Sequence, residues 1–286
     1  MEREKESIFS KITIKDILTK KHKEKITMLT CYDTSFAQII DEAGVDIILV
    51  GDSMANVVLG IKRTKDISFK EMFNHTQAVR RGVKRALVVA DMPYVSYQKN
   101  KKKAIYFAKK FLEEAGADAV KIEWFDGCQE IGLQFAQNRI PLMGHIGLTP
   151  QSVDKLGGFS VQGRDYQRAH ELIEQAKLFQ DWGSFSLVLE CIPSQLSKLI
   201  TDKLSIPTIG IGAGPSCDGQ VIVLYDLLGL YRIFKPKFVR VYVDLSQIIL
   251  DAVKKFILDV KEARFPLKEE SFLMKEEELS KLKEII

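Results

Sequence analysis

DIILVGDSMANVVLGIKRTKDISFKEMFNHTQAVRRGVKRALVVAD, residues 46–91, decides the fold of this 286-residue chain. It opens on a short apolar run, Asp46–Val50, and closes on another, Ala86–Ala90, and an aspartate follows each closely, Asp52 and Asp91. Runs that are apolar at nearly every residue belong to strands buried on both faces, as in parallel sheets. Between them, Ser68 and Glu71 have the spacing of a capping box. Phe69, Met72, Phe73, Thr76 and Val79 then recur on one helical face, so a helix is expected over 68–81. Strand, amphipathic helix, strand is the unit of a parallel sheet with helical crossovers.

The same alternation runs outward in both directions. Ile26–Thr30 reads as a strand before this stretch; Ala119–Ile122, Pro141–His145, Ser186–Leu189 and Thr208–Ile211 read as strands after it. For an eighth strand, Val221–Leu224 fits by composition and Phe238–Tyr242 competes. Ala104, Phe107, Ala108, Phe111 and Leu112 mark a further helix that stops at Gly116, and Leu172, Ala176, Leu178 and Phe179 a weaker one. Seven or eight β/α units favour a closed (β/α)8 TIM barrel over an open doubly wound sheet. No glycine-rich dinucleotide fingerprint follows the first strand, and Gly210-Ile211-Gly212-Ala213-Gly214 reads as a tight turn at a strand end. One barrel domain is expected over residues 1–266, with 267–286 a C-terminal helical extension. There Leu279, Leu282, Ile285 and Ile286 share one face, which packs on a neighbouring subunit or frays.

Composition narrows the function classes. The chain is 46% hydrophobic and 28% charged, with 42 basic against 38 acidic residues, a net charge of +4. That near-balance gives no case for nucleic acid or a membrane surface as partner. Lys101-Lys102-Lys103 reads as a solvated helix start. Cys31, Cys128, Cys191 and Cys217 show no CxxC spacing, which argues against a zinc site and for a reducing compartment. The opening Met1-Glu2-Arg3-Glu4-Lys5 has no apolar stretch behind it, and no apolar run approaches the roughly 20 residues of a membrane helix, so a cytoplasmic location is expected.

In a (β/α)8 barrel the chemistry stands at the C-terminal ends of the strands. Here those ends read Gly51-Asp52-Ser53, Asp91-Met92-Pro93, Lys121-Ile122-Glu123, Gly144-His145 and Glu190-Cys191. One acidic residue at a strand end is often only a helix cap. Four on separate strands would repel one another across a shared mouth unless a cation neutralises them, and oxygen-only ligands suit a hard ion such as Mg²⁺. Lys121 places a positive charge in the same ring, suited to an anionic substrate. The residues alone therefore point to a barrel enzyme with a carboxylate-bound Mg²⁺ acting on a small acid. His145 reads either as a hydrogen-bond partner near the substrate or as an orienting core histidine. His75 reads as structural, and His22 and His170 as exposed.

At these positions the chain resembles the ketopantoate hydroxymethyltransferase family over roughly residues 25–272. The matching stretches are Leu49-Val50-Gly51-Asp52-Ser53, His75 to Gly82, Ala90-Asp91-Met92-Pro93-Tyr94 and Val120-Lys121-Ile122-Glu123. Then come Gly144 to Ser152, Gly157-Gly158-Phe159, Val161 to Arg164, Leu189 to Pro193, Ile209 to Gly214 and Asp218-Gly219-Gln220, in that order. The resemblance implies a barrel of the phosphoenolpyruvate/pyruvate type and the transfer of a one-carbon unit from 5,10-methylenetetrahydrofolate to 3-methyl-2-oxobutanoate, giving 2-dehydropantoate on the way to pantothenate. It further implies Asp52 and Asp91 as Mg²⁺ ligands with Glu123 as another, directly or through water. Ser53 and Lys121 would hold the oxo-acid carboxylate or carbonyl, beside Asp52, Asp91 and His145, and Glu190 would accept the proton. A homo-oligomer, often a decamer, goes with the family.

The chain departs from the family pattern in four places. Thr64-Lys65-Asp66-Ile67-Ser68 lacks the usual proline; Trp124-Phe125 stand where a glycine pair is usual; Tyr225 and Glu270 each replace a histidine. Two rival readings are another lyase or mutase of the same barrel type, and a barrel that has lost activity and serves assembly. Exchange of the C3 proton of 3-methyl-2-oxobutanoate in the presence of Mg²⁺, against turnover of a carbon–carbon lyase substrate, tests the first rival, and a steady-state assay with methylenetetrahydrofolate tests the second.

Overall fold

The computed structural model describes residues 10–285; the charged opening at residues 1–5 lies outside them. Eight parallel strands close into one barrel in chain order. They are β1 (Ile26–Thr30), β2 (Ile47–Val50), β3 (Leu87–Asp91), β4 (Ala119–Glu123), β5 (Leu142–Gly147), β6 (Ser186–Glu190), β7 (Thr208–Ile211) and β8 (Gly219–Ile222). The main helices of the barrel unit are α1 (Ile14–Thr19), α2 (Thr34–Glu42), α3 (Phe69–Gly82), α4 (Ala104–Lys109), α5 (Cys128–Gln137), α6 (Tyr166–Asp181) and α7 (Ser194–Lys203).

β2 to β7 have no exposed residue on either face, whereas β1 and β8 each expose one, Thr27 and Gln220; strand side chains alternate between the barrel interior and the surrounding helices. Ile26, Met28, Ile47, Leu49, Leu87, Val89, Ala119, Met143, Val188, Ile209 and Val221 fill the interior, and Ile12 and Ile17, on and before α1, pack into the same cluster. The interior thus stays apolar up to the strand ends, where it turns charged. The capping box before α3 is present, with Ser68 accepting from the Glu71 amide and Glu71 from the Ser68 amide. Met72, Thr76 and Val79 are its buried face. Phe69 instead joins an aromatic group with Phe107 at 4.5 Å and Phe111 at 5.0 Å between ring centroids.

The eighth strand differs from both expectations. It begins two residues earlier than Val221–Leu224, Leu224 already opens the short helix Leu224–Leu227, and Phe238–Tyr242 is not a strand. Gly219 pairs with Ile26 of β1 and with Ile209 of β7. A Cβ at Gly219 would stand 2.5 Å from the Ile26 carbonyl oxygen. Glycine therefore starts the strand that closes the barrel, despite its weak strand preference.

Asp218 fastens this seam. It takes Lys21 Nζ at 2.8 Å, the His22 amide at 3.0 Å and the Thr208 amide at 2.9 Å. Burial opposes its charge, but Lys21 and these two amides outweigh that and hold the carboxyl below its usual range. A depressed folded-state pKa stabilises the protein above the unfolded carboxylate value and loses that stabilisation as pH falls through the folded one. Asp218→Ala would leave the half-buried Lys21 ammonium with the Thr201 carbonyl but no counter-charge, at a cost of about 3 kcal/mol, the low end for a broken buried pair. Denaturant unfolding at pH 7 measures it, and the deficit against the parent shrinks in acid.

By contacts the chain divides into two compact units, the barrel through Leu227 with Tyr231–Arg240, and a second unit of Leu228–Leu230 with the residues from Val241 onward. The second holds α8 (Leu245–Lys261) and α9 (Glu276–Lys283), neither of which has a buried residue. Among the described residues no helix is long and apolar enough to cross a membrane.

Candidate active site

Register brings the strand-end residues together. Asp91 of β3 lies beside Lys121 of β4, Glu123 of β4 beside His145 of β5, and Gly147 of β5 beside Glu190 of β6. Lys121 and Glu123 are two apart, so both face the interior. Asp52, Ser53, Asp91, Lys121, Glu123, His145 and Glu190 all line one cavity of about 130 Å³. Gly147 lets β5 and β6 meet at this height. Its φ is +97°, and a Cβ there would stand 2.2 Å from the Glu190 carbonyl oxygen.

The cluster is dense and short of positive charge. Four carboxylates face one lysine and one histidine, and of these six only Glu190 is not fully buried. Lys121 Nζ is 2.8 Å from Asp91 Oδ1. The contact lies off the line of a hydrogen bond, so Asp91 Oδ1 is buried with an ion-pair neighbour and no hydrogen bond. Asp91 Oδ2 accepts from the Asp52 amide at 3.0 Å. Burial, then the charges of Glu123 and Asp91, push the Asp52 carboxyl well above its usual range. Lys121 is raised: burial opposes its charge, but Asp91, Glu123 and Asp52 outweigh it.

His145 bridges two carboxylates. Nδ1 is 3.5 Å from Glu123 Oε1 and Nε2 is 3.2 Å from Glu190 Oε2. Lys121 Nζ is also 3.3 Å from Nδ1, a contact that suits only a neutral ring. Burial and Lys121 oppose the imidazolium, yet Glu123 and Glu190 outweigh them and lift it to about 9. The carboxylate excess decides for the charged ring, because both ring nitrogens then face acceptors.

Several positioning residues come from the connections after the strands and were not legible from strand ends. Gln151 is the hub. Its Nε2 donates to Asp52 Oδ2 at 2.9 Å and to the Met92 carbonyl at 3.1 Å, its amide donates to Glu123 Oε2 at 2.9 Å, and its Oε1 accepts from the Tyr97 hydroxyl at 2.7 Å. Tyr97 in turn accepts from the Glu123 amide at 3.1 Å. Tyr32 links Thr30 at 2.8 Å to Ser53 at 2.9 Å. The signal for Gln151 was present, inside Leu148-Thr149-Pro150-Gln151-Ser152 at the end of the fifth strand. Gln151→Ala frees Asp52 and Glu123 together. The divalent-ion concentration for half-maximal activity should rise by about 10- to 100-fold, the scale for residues that orient metal ligands, with a smaller change at saturating ion. An unmoved ion requirement would leave Gln151 a packing residue.

The departures near the site are accommodated by packing. Phe125 meets Tyr97 edge-on at 5.5 Å, and Trp124 lies parallel to Trp182 at 6.0 Å. Tyr225 packs edge-on to Tyr32 at 5.7 Å. His75, expected to be structural, places Nδ1 2.6 Å from the Tyr32 carbonyl.

The donors suit a hard cation held by two carboxylates. Among the described residues no three His, Cys, Asp or Glu side chains form a ready-made cage. Mg²⁺ does not need one, since it binds through one or two carboxylates and keeps water or substrate oxygens for the rest. Asp91 Oδ1 lacks a hydrogen bond and Asp52 is destabilised as a carboxylate, so this pair gains from a cation between them. Both Glu123 oxygens already face Gln151 and His145, which fits a contact through water.

Barrel and strand-end cluster together define an enzyme of the (β/α)8 class. A family model described as ketopantoate hydroxymethyltransferase matches residues 11–268, and the chain belongs to that family. It is 49% identical over 263 residues to the 3-methyl-2-oxobutanoate hydroxymethyltransferase of Syntrophomonas wolfei, covering 92% of this chain and 95% of the relative. It is 51% identical over 247 residues to that of Syntrophus aciditrophicus, covering 86% and 91%. Among solved structures, phosphonopyruvate hydrolase in complex with oxalate and Mg²⁺ matches at a TM-score of 0.59 and 11% identity, covering 96% of this chain and 95% of that one. 2,3-Dimethylmalate lyase, of the PEP mutase/isocitrate lyase superfamily, matches at 0.54 and 12%, covering 95% and 98%. These likenesses give the fold expected from the sequence, a closed (β/α)8 barrel; the family makes the chain a hydroxymethyltransferase.

Proposed function

We propose that the chain transfers a one-carbon unit from 5,10-methylenetetrahydrofolate to 3-methyl-2-oxobutanoate, giving 2-dehydropantoate for pantothenate synthesis, through a Mg²⁺-stabilised enolate. One observation carries the reading: a buried strand-end cluster with four carboxylates against a lysine and a histidine, in a cavity sized for a small acid.

In this reading Asp52 and Asp91 hold the ion and Glu123 supports it through water. When bound, the ion supplies a Lewis acid for the oxo-acid carbonyl oxygen, which gains negative charge as the C3 proton leaves. Lys121 and Ser53 take the substrate carboxylate or carbonyl. Glu190, the most accessible of the four carboxylates, removes the C3 proton as general base. His145 stands against Glu190 and Glu123 and fixes the base for that transfer. Burial of the cluster keeps bulk water from returning a proton to C3.

The test is proton exchange at C3 of 3-methyl-2-oxobutanoate in deuterated buffer, with and without Mg²⁺ and without the folate. Exchange that needs Mg²⁺ supports the reading. No exchange with this acid, together with turnover of a carbon–carbon lyase substrate, would overturn it. We also assign the enzyme to the cytoplasm, in keeping with its four free thiols. We take it to act as a homo-oligomer, decameric as its family resemblance implies, with residues 267–286 as an extension outside the catalytic barrel.

A further inference from the structure

A second cavity of about 220 Å³ adjoins the strand-end cavity. Asn56, Thr64, Pro150 and Phe159 line both. The outer chamber adds Lys62, Arg63, Val153, Asp154 and Gly158. Its character differs from that of the inner one. Pro150, Val153 and the 73%-exposed Phe159 ring are apolar surfaces suited to a flat ring system. Its rim carries two cations. Arg63 is paired with Asp66, and Asp154 takes Lys65, so the local charges are matched except at Lys62, which makes no ion pair or side-chain hydrogen bond among the described residues. Thr64 adds an independent sign that something binds here. It is 94% buried, lines both chambers, and its hydroxyl has no hydrogen-bond partner. A buried hydroxyl without a partner is costly, and a ligand crossing from one chamber to the other would supply one.

We propose that the outer chamber seats the one-carbon carrier, with its ring system against Phe159 and Pro150, Thr64 bonding it at the junction, and Lys62 meeting the carboxylates of its glutamate tail. This rests on the folate reading above. It adds a specificity: carriers with more glutamates, hence more negative charge, are taken up better.

The experiment compares the mono- and triglutamate forms of 5,10-methylenetetrahydrofolate on the intact protein with Lys62→Ala and Lys62→Glu. An exposed charge pair is worth little singly, so Lys62→Ala should raise the carrier KM about threefold and charge reversal about tenfold. Both changes should be larger for the triglutamate, and added salt should remove the difference between parent and variants. C3-proton exchange, which needs no carrier, reads the inner chamber separately. Exchange with an unchanged carrier KM in both variants overturns the proposal alone; loss of exchange in the parent protein overturns the underlying reading. Thr64→Val gives a second check, with a raised KM for both carrier forms alike.

Discussion

Glu190→Gln should lower C3-proton exchange by about 10²- to 10⁴-fold, the range a positioned general base contributes. Its side chain is 16% exposed at the end of β6, 3.2 Å from His145 Nε2, on the open side of a cavity whose other carboxylates are engaged. Asp91 faces Lys121 and the Asp52 amide; Asp52 faces Gln151; Glu123 faces Gln151 and His145. Glu190 is the most exposed of the four, and only its Oε2 faces another residue of the cluster among the described residues. The amide keeps the shape and the contact with His145 and removes the basicity. Binding of the oxo acid should therefore survive while exchange falls, which isotope exchange and ligand-induced thermal shift read separately. Near-parent exchange would assign the proton to another group.

Asp52→Ala should abolish Mg²⁺-dependent exchange, a loss of roughly a thousandfold or more if the ion contributes about 4 kcal/mol, without weakening the metal-free fold. Burial and two like charges already penalise the Asp52 carboxylate, so removing it relieves the site. The pH dependence follows from the same shift. A carboxyl whose folded pKa is raised binds protons more readily than the unfolded chain does, so its stability contribution falls as pH rises from about 4 through the folded pKa. A divalent ion competes with that proton, so its stabilising effect grows with pH. The Mg²⁺-induced rise in melting temperature should thus be larger at pH 8 than at pH 6 in the parent, and absent at both in the variant. A variant that still gains stability and turnover from Mg²⁺ would remove Asp52 from the metal site.

The sequence shows most of this frame because the barrel's periodicity writes itself plainly. Continuous apolar runs mark strands buried on two faces, and the first polar residue after each run marks the catalytic end. Seven strands were legible on that basis to within a residue or two. The eighth was not, because it opens on Gly219, required by the tight approach to β1, and on the exposed Gln220, neither of which has strand character of its own. The strand-end residues of the site were legible for the same reason as the strands. Gln151, Tyr97 and Thr64 were not, since they lie in short helical turns of the connections after the strands, whose path depends on tertiary contacts. The Trp124-Phe125 departure reads differently once Tyr97 and Trp182 are seen to pack against it.

The seam between β1 and β8 joins residues 26–29 to 219–222, nearly two hundred positions apart. Such a distant pairing carries a large loop-closure cost and forms late. During synthesis the strands bearing every proposed ligand and the base leave the ribosome well before Gly219 does. Until that last strand arrives, Asp218 has no seam to fasten and the acidic mouth has no closed wall. The geometry for gripping a divalent ion therefore depends on a ring whose last joint is made between the two ends of the barrel's sequence.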